Sequence, residues 1–403
     1  MSNQSYDICV IGGAGHVGAP LAVVFANRGF RTLIYDLNAD SVRSLMAGRF
    51  PFIEQGGEAQ LQQALASGQL FGSSTRADIA AADALVVTIG TPIDEFQNPG
   101  WDAVTGCVEE LLPYMQNTKL LILRSTVAPG TTDRVQQLLV RRGFNTAVAF
   151  CPERVVQGLA IDEIQRMPQI ISGTTPAAEQ QAAAIFSRIA TSVVPLRPIE
   201  AEFAKLFCNA YRYIQFAASN QFFMMAQAAG CDYSRIVAGI KQEYPRMSAL
   251  PGAGFAAGPC LLKDTLQLAA ISNHQFGLGY AAINVNEGLP AFVVEDIRRR
   301  FPLASMTVGI LGMAFKAGSD DIRSSLSYKL KKLLRLTARE VLTTDPYVTT
   351  DATLRPLEEV IAQSDLLVIA APHHEYRQIA TAGKPVVDIW NLLPSPAAVL
   401  QPQ

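Results

Sequence analysis

The chain has little cysteine, histidine or charge. Its six cysteines, spread over 403 residues, include no Cys-x-x-Cys pair, which argues against a disulfide framework or a structural zinc site. Charged residues make up 17% and sum to a net charge of −2, so there is no electrostatic reason to expect nucleic acid or an acidic membrane surface as partner. No apolar run reaches the roughly 18 residues that a membrane span needs. The stretch Met1 to Asp7 lacks a basic n-region, and the first apolar run ends in glycines rather than in a cleavage site. These absences predict a reducing, cytoplasmic setting.

With 403 residues, 49% of them apolar, the chain is expected to build two or three domains around well-packed cores. Ile8-Cys-Val-Ile11 reads as a buried parallel strand. It runs into Gly12-Gly-Ala-Gly-His-Val-Gly18 and then into a helical stretch, Ala19 to Asn27. Gly13, Gly15 and Gly18 fit the G-x-G-x-x-G spacing in its strand–turn–helix setting. That setting supplies a tight turn, close backbone approach to a pyrophosphate and a helix N-terminus that favours anions. A second strand, Thr32–Tyr35, ends at Asp36, placed to accept hydrogen bonds from an adenosine ribose and to repel a 2′-phosphate, so NAD is expected over NADP. The competing reading of Asp36 is a helix N-cap, a job for which Asn38 is also suited.

Further strands are expected at 84–89, 120–123 and 147–150. Their carboxyl ends open into the loops Gly90–Glu95, Arg124–Gly130 and Cys151–Gly158, which would line a ligand crevice. From Glu200 to Ala229 no Gly or Pro interrupts a helical pattern whose apolar residues, among them Phe207, Tyr211, Phe222 and Met225, cover more than one face. Such a helix is expected to be buried between domains or subunits. Lys205 and Asn209 project from one face of it, either as a solvated stripe or as an inward pair. Residues 264–300 read as helical. Strands at 307–312, 341–344, 366–370 and 385–389 then repeat the α/β cadence without the full glycine fingerprint. The tail after Leu393 is expected to fray.

One thiol stands apart. Gly252-Ala-Gly-Phe-Ala-Ala-Gly-Pro-Cys260 ends a glycine-rich loop in a cysteine, with Lys263 and Asp264 just beyond. It is either a nucleophile beside a ligand held by the loop, or a small apolar residue in a turn entering a helix. Cys9, Cys107, Cys151, Cys208 and Cys231 lie in strand or helical surroundings and read as structural. His373-His374 lacks a third ligand, so no metal is expected.

Taken in order, these landmarks resemble the UDP-glucose/GDP-mannose dehydrogenase family from Ile8 to Leu393. The matching segments are the glycines with Asp36, Gly90-Thr-Pro92, Ser125-Thr-Val127, Pro152-Glu153, Lys205 with Asn209, Gly258-Pro-Cys-Leu-Leu-Lys-Asp264, Phe315-Lys316, Asp320-Asp-Ile-Arg323 and Asp345-Pro-Tyr347. The resemblance implies two doubly wound Rossmann-like domains joined by a long central helix: 1–198 for NAD, 199–300 central, and 301–403 for a UDP-sugar. It further implies NAD as cofactor, a nucleotide-sugar substrate, a homodimer or higher homo-oligomer, and four-electron oxidation of a sugar C6 alcohol for surface polysaccharide.

By the same resemblance Cys260 is the nucleophile, Thr126 organises water, Lys205 and Asn209 stabilise developing oxyanion charge, and Asp264 and Glu153 are acid/base carboxylates. NAD contacts fall on Gly13, Gly15, His16, Val17, Gly18, Asp36, Thr91, Thr126 and Arg323. Substrate contacts fall on Glu153, Arg154, Lys205, Asn209, Arg246, Gly252, Gly254, Phe255, Gly258, Cys260, Phe315 and Lys316, with Arg246 reaching the substrate of a partner subunit.

Two departures bear on the substrate. Gln157 stands where the UDP-glucose branch has a second glutamate, and Pro152-Glu-Arg-Val155 looks more like the branch acting on UDP-N-acetylmannosamine or UDP-N-acetylglucosamine. Ala256, Ala257 and Pro259 also add bulk to a loop usually richer in glycine. UDP-glucose and GDP-mannose are the alternative substrates. A two-electron hydroxyacid-type dehydrogenase and a non-catalytic nucleotide-sugar sensor are the alternative functions.

Overall fold

In the computed structural model, residues 5–94 and 100–393 are described; the tail after Leu393 and Glu95 lie outside them. By packing, the chain forms two compact units, Met1–Cys208 and Asn209–Gln403.

The first unit is built on a six-stranded sheet of β1 (Tyr6–Ile11), β2 (Thr32–Tyr35), β3 (Leu70–Ser73), β4 (Ala82–Val87), β5 (Leu120–Leu123) and β6 (Ala147–Phe150). All its pairings are parallel, in the order β3-β2-β1-β4-β5-β6. The strands are continuously apolar because both faces are covered. Val10, Ile34, Val86 and Ile122 pack on one side with Phe25 and Phe186. Their neighbours Cys9, Leu33, Leu85 and Leu121 pack on the other with Val104 and Leu139. Chain order reverses between β1 and β4, which opens a crevice at their carboxyl ends.

β3 was not expected, since Leu-Phe-Gly-Ser is too short and too mixed to announce a strand. Nor was the separate parallel pair β7 (Gln169–Ile171) and β8 (Val193–Pro195).

A 31-residue helix, Pro198–Ala228, spans the end of the first unit and the start of the second. Phe207, Tyr211, Phe222 and Met225 are exposed on it. The stretch expected to be helical from 264 to 300 is two helices, Leu261–Ile271 and Gly277–Arg300. Asn273 and His274 break it by taking positive φ, 52° and 59°, a conformation that asparagine and histidine tolerate better than branched residues. Cys231, expected in helical surroundings, sits in the turn before the helix Tyr233–Lys241.

The second sheet comprises β9 (Thr307–Leu311), β10 (Glu340–Thr344), β11 (Leu366–Ile369) and β12 (Val386–Asp388). It is wholly parallel, in the order β10-β9-β11-β12. No described helix is long and apolar enough to cross a membrane.

Candidate active site

In the first unit the glycine loop closes where β1 meets the helix Gly18–Asn27. A Cβ on Gly18 would lie 2.5 Å from the carbonyl oxygen of Gly12, and one on Gly13 would lie 2.6 Å from that of Val10. Packing therefore demands both glycines. At Gly15 the nearest atom would be 3.5 Å away, so this position is open for close approach by a phosphate, above a helix whose first N–H groups receive no side-chain cap at Val17. Asp36 is not a helix cap. Asn38 takes that role by accepting from Ser41 N–H, while Asp36 accepts from Ala14 N–H at 3.0 Å and Asn38 N–H at 2.9 Å. The carboxylate is thus fixed over the glycine loop with lone pairs to spare. These residues fit an NAD molecule.

Hydroxyl groups tie the neighbouring strand ends together. Thr88 donates to the Ile11 and Gly12 carbonyls, Ser125 to that of Ile89, and Thr91 to that of Thr126 at 2.6 Å. The expected residues Thr91 and Thr126 are therefore bonded neighbours at the crevice. His16 packs on Phe52, with ring centroids 4.0 Å apart, and its Nδ1 lies 3.1 Å from the Gln157 amide. Gln157 is thereby engaged with the phosphate loop.

Glu153 is buried and fully bonded. Arg124, 1% exposed, donates to its Oε2. Its Oε1 accepts from Arg154 N–H at 2.5 Å and Val155 N–H at 2.6 Å. The Arg154 side chain turns to the carbonyl of Pro168. Glu202 is buried as well, and caps the helix Thr131–Arg141 by accepting from Gly130 N–H, Thr132 N–H and the Thr132 hydroxyl. Burial raises its pKa, against the lowering effect of the Thr132 and Gly130 bonds. Lys205, also buried, lies three residues after Glu202 on the long helix.

In the second unit the exposed Cys260 occupies the N-cap position of Leu261–Ile271 without a side-chain cap bond, at a helix end whose free N–H groups and dipole favour negative charge. One turn on, fully buried Asp264 accepts from Asn209 Nδ2 at 2.6 Å. Lys263 Nζ lies 2.6 Å from the other Asp264 oxygen, a charge contact without hydrogen-bond geometry. Asn209 and Asp264 are thus bonded one helical turn from Cys260. The Phe315 ring packs on Gly258, where a Cβ would be 2.6 Å away, and Gly258 N–H donates to the Ser324 carbonyl.

Phe255 is buried, Gly252 exposed and Lys316 half-buried. Arg323 is held by Asp321, which raises its pKa, and the Cys260 charge acts on it in the same direction. Arg246 is exposed, its guanidinium over the Tyr244 ring.

Sequence reasoning missed Arg124 and Glu202, which hold Glu153 and the helix Thr131–Arg141 in the first unit, and Asn220, Asn286 and Trp390, which surround Gly254 in the second. His373 belongs with them, although it was weighed only as a metal ligand. Among the described residues no group of three His, Cys, Asp or Glu side chains is placed to hold a metal ion. His373 is fully buried. Its Nδ1 accepts from Gly318 N–H at 3.1 Å, so Nε2 carries the proton and donates to Asp345 Oδ2 at 3.0 Å. Asp345 also accepts from Met313 and Ala314 N–H, as Asp36 does from Ala14 in the first unit.

Three domain profiles of one family match the chain. The NAD binding domain of the UDP-glucose/GDP-mannose dehydrogenase family matches residues 6–190, its central domain 199–288 and its UDP binding domain 309–395. A UDP-N-acetyl-D-mannosamine dehydrogenase of Pyrococcus horikoshii is 28% identical over 95% of each chain. A solved structure of such an enzyme from P. horikoshii superposes with a TM-score of 0.88, 26% identity and 96% coverage of both chains. A UDP-glucose dehydrogenase structure from Pyrobaculum islandicum gives 0.87, 25% and 97% of each.

Proposed function

This chain belongs to the UDP-glucose/GDP-mannose dehydrogenase family, is an NAD-dependent nucleotide-sugar dehydrogenase, and we propose that it oxidises the C6 alcohol of UDP-N-acetyl-D-mannosamine to the carboxylate in two steps. The observation that carries the proposal is Cys260 at a helix N-terminus, exposed, one turn from the buried Asp264–Asn209 pair. NAD, bound at the Gly15 crevice, would supply the hydride acceptor, one molecule for each of the two oxidations. Lys205 and Asn209 stabilise the alkoxide as its proton leaves. The Cys260 thiolate adds to the resulting aldehyde carbon and gives a thiohemiacetal. Loss of a second hydride leaves a thioester, which water held near Thr126 hydrolyses, returning the thiol. Asp264 carries protons in this scheme. Glu153, locked by Arg124 and two backbone N–H groups, shapes the segment 153–155. Residues 1–198, 199–300 and 301–403 serve as cofactor, central and UDP-sugar modules, with Phe315 and Lys316 facing the sugar nucleotide.

Two features favour the N-acetylated substrate over UDP-glucose. Pro152-Glu-Arg-Val155 is the pattern of that branch, and Gln157 is a hydrogen-bond partner of His16 rather than a lone substitute for a catalytic carboxylate. Exposed Phe207, Tyr211, Phe222 and Met225 support a homodimer through the long helix. A uronic acid product suits surface polysaccharide synthesis in the cytoplasm.

The test is turnover on UDP-N-acetylmannosamine, UDP-N-acetylglucosamine, UDP-N-acetylgalactosamine, UDP-glucose and GDP-mannose, counting NADH. Two NADH per UDP-N-acetylmannosamine, with Cys260→Ser stalling that stoichiometry, is expected. One NADH with free aldehyde would overturn the four-electron scheme, and binding without turnover on any sugar would favour the sensor reading.

A further inference from the structure

Asn220 is a fully buried amide in the middle of the long helix, among apolar neighbours such as Phe223 and Ala217. A buried amide is tolerated only when its bonds are met. Its Oδ1 accepts from Gly254 N–H at 2.9 Å, and its Nδ2 donates to the Gly254 carbonyl at 3.0 Å. One side chain therefore grips both backbone groups of one residue, as a neighbouring strand would.

The amide cannot turn over. Asn286, also fully buried, donates from Nδ2 to the Tyr213 carbonyl at 2.9 Å, which leaves its Oδ1 to accept from Asn220 Nδ2 at 2.9 Å. Beside it, Ser219 donates to the Pro251 carbonyl at 2.8 Å, with Tyr233 Oη 2.7 Å away. The far side of Gly254 is closed by the Trp390 ring, which a Cβ would meet at 2.2 Å. That ring is fixed by its own bond to the Ala370 carbonyl.

Asn209 lies eleven residues before Asn220, about three turns and ~16 Å along nearly the same helix face. It binds Asp264. One helix face therefore holds the chain at Gly254, before Cys260, and at Asp264, after it. The intervening loop is short, and its two anchors share a rigid support.

We propose that Asn220 is a positioning residue for the reaction: by gripping Gly254 it sets the glycine loop, and with it the Cys260 thiol, in register with Asn209 and Asp264. The inference rests on reading Cys260 as the nucleophile, so its test includes measurements that need no turnover.

In full-length Asn220→Leu protein, hydrogen exchange should rise selectively across residues 251–258, and iodoacetamide alkylation of Cys260, mapped by peptide mass, should change at least about threefold. NAD affinity should hold within about twofold, while kcat falls tens of fold toward about a hundredfold, the scale of a small misplacement of reacting groups. A merely structural role would raise exchange throughout and leave Cys260 no different from Cys208. A folded Asn220→Leu protein with loop exchange, Cys260 alkylation and kcat all within about twofold of the parent overturns the proposal. If Asn220→Leu does not fold, Asn286→Ala frees the same amide, and unchanged values there overturn it equally. Should no nucleotide sugar be oxidised by the parent, the exchange and alkylation results still decide whether the clamp exists.

Discussion

Asn209 and Asp264 meet at 2.6 Å in a fully buried contact, the amide nitrogen donating to the carboxylate. The carboxylate is thus held on the helix whose N-cap position Cys260 occupies, one turn inward from the thiol. Asp264→Asn preserves shape and offers an oxygen to the same donor but removes the counter-charge of Lys263, so a loss of about 1–3 kcal/mol of stability is expected. If Asp264 moves protons, kcat should fall by about 10² to 10⁴. Steady-state NADH formation alongside urea melts separates the two; full activity in a folded Asp264→Asn protein removes this carboxylate from the chemistry.

Asp36 faces the glycine loop through Ala14 N–H, where a 2′-phosphate would meet its charge. Asp36→Ser keeps a short polar side chain and removes that repulsion. The ratio of kcat/KM for NADP over NAD should rise by about tenfold or more. An unchanged ratio would mean that the adenosine ribose lies elsewhere.

Arg124 and Glu153 form a buried ion pair at 1% and 10% side-chain exposure. Removing one partner strands the other charge. Arg124→Met should therefore destabilise the protein by about 3–5 kcal/mol, read from urea unfolding of the NAD-free protein. The double variant Arg124→Met with Glu153→Gln should recover part of that loss, since neither charge is then left alone.

The periodic parts of this fold were legible because their cause is local. Val10 and Cys9 pack on opposite covered faces, so the apolar run from Ile8 to Ile11 could be read as a buried strand, and Gly13, Gly15, Gly18 and Asp36 followed from it. The supports within each unit were not legible, because each is a contact between distant positions. Asn220 and Gly254 are 34 residues apart, and Glu202 and Thr132 are 70 apart. A signal was present all the same: Asn220 and Glu202 are polar residues on a strongly apolar helix. The role of His373 was hidden for a similar reason: the adjacent pair His373-His374 was weighed as a metal site and set aside, and the carboxylate that His373 serves, Asp345, stands 28 residues away.

Two carboxylates shift in opposite directions and should oppose each other in the pH dependence of stability. Glu202 has its pKa raised above the ordinary 4.5 by burial. Its stabilising protonation is therefore complete below 4.5 and lost as pH rises through its folded value. At Asp345, burial raises the pKa but the His373 bond and neighbouring N–H groups win, leaving it below the ordinary 3.8. Its contribution is present above 3.8 and lost as pH falls through its folded value. Thermal melts across the acid range should show Glu202→Gln gaining relative stability as pH rises above 4.5. Asp345→Asn should instead lose relative stability as pH rises from strong acid to about 3.8 and keep a constant deficit above it.

The long helix leaves Phe207, Tyr211, Phe222 and Met225 at 57%, 63%, 47% and 62% exposure. Spacings of four, eleven and three residues keep these side chains along one side of an α-helix. Scattered apolar residues need no explanation, but an aligned stripe of this size marks an interaction surface. A second copy of the same helix offers a self-complementary cover. Phe207→Glu with Tyr211→Glu would place four carboxylates against one another in such a dimer, while costing a lone chain little because both positions already face solvent. Light scattering on the purified protein should therefore show the mass halve, with the far-UV spectrum unchanged. A double variant that keeps the parent mass would show that the stripe is covered by something other than its own copy.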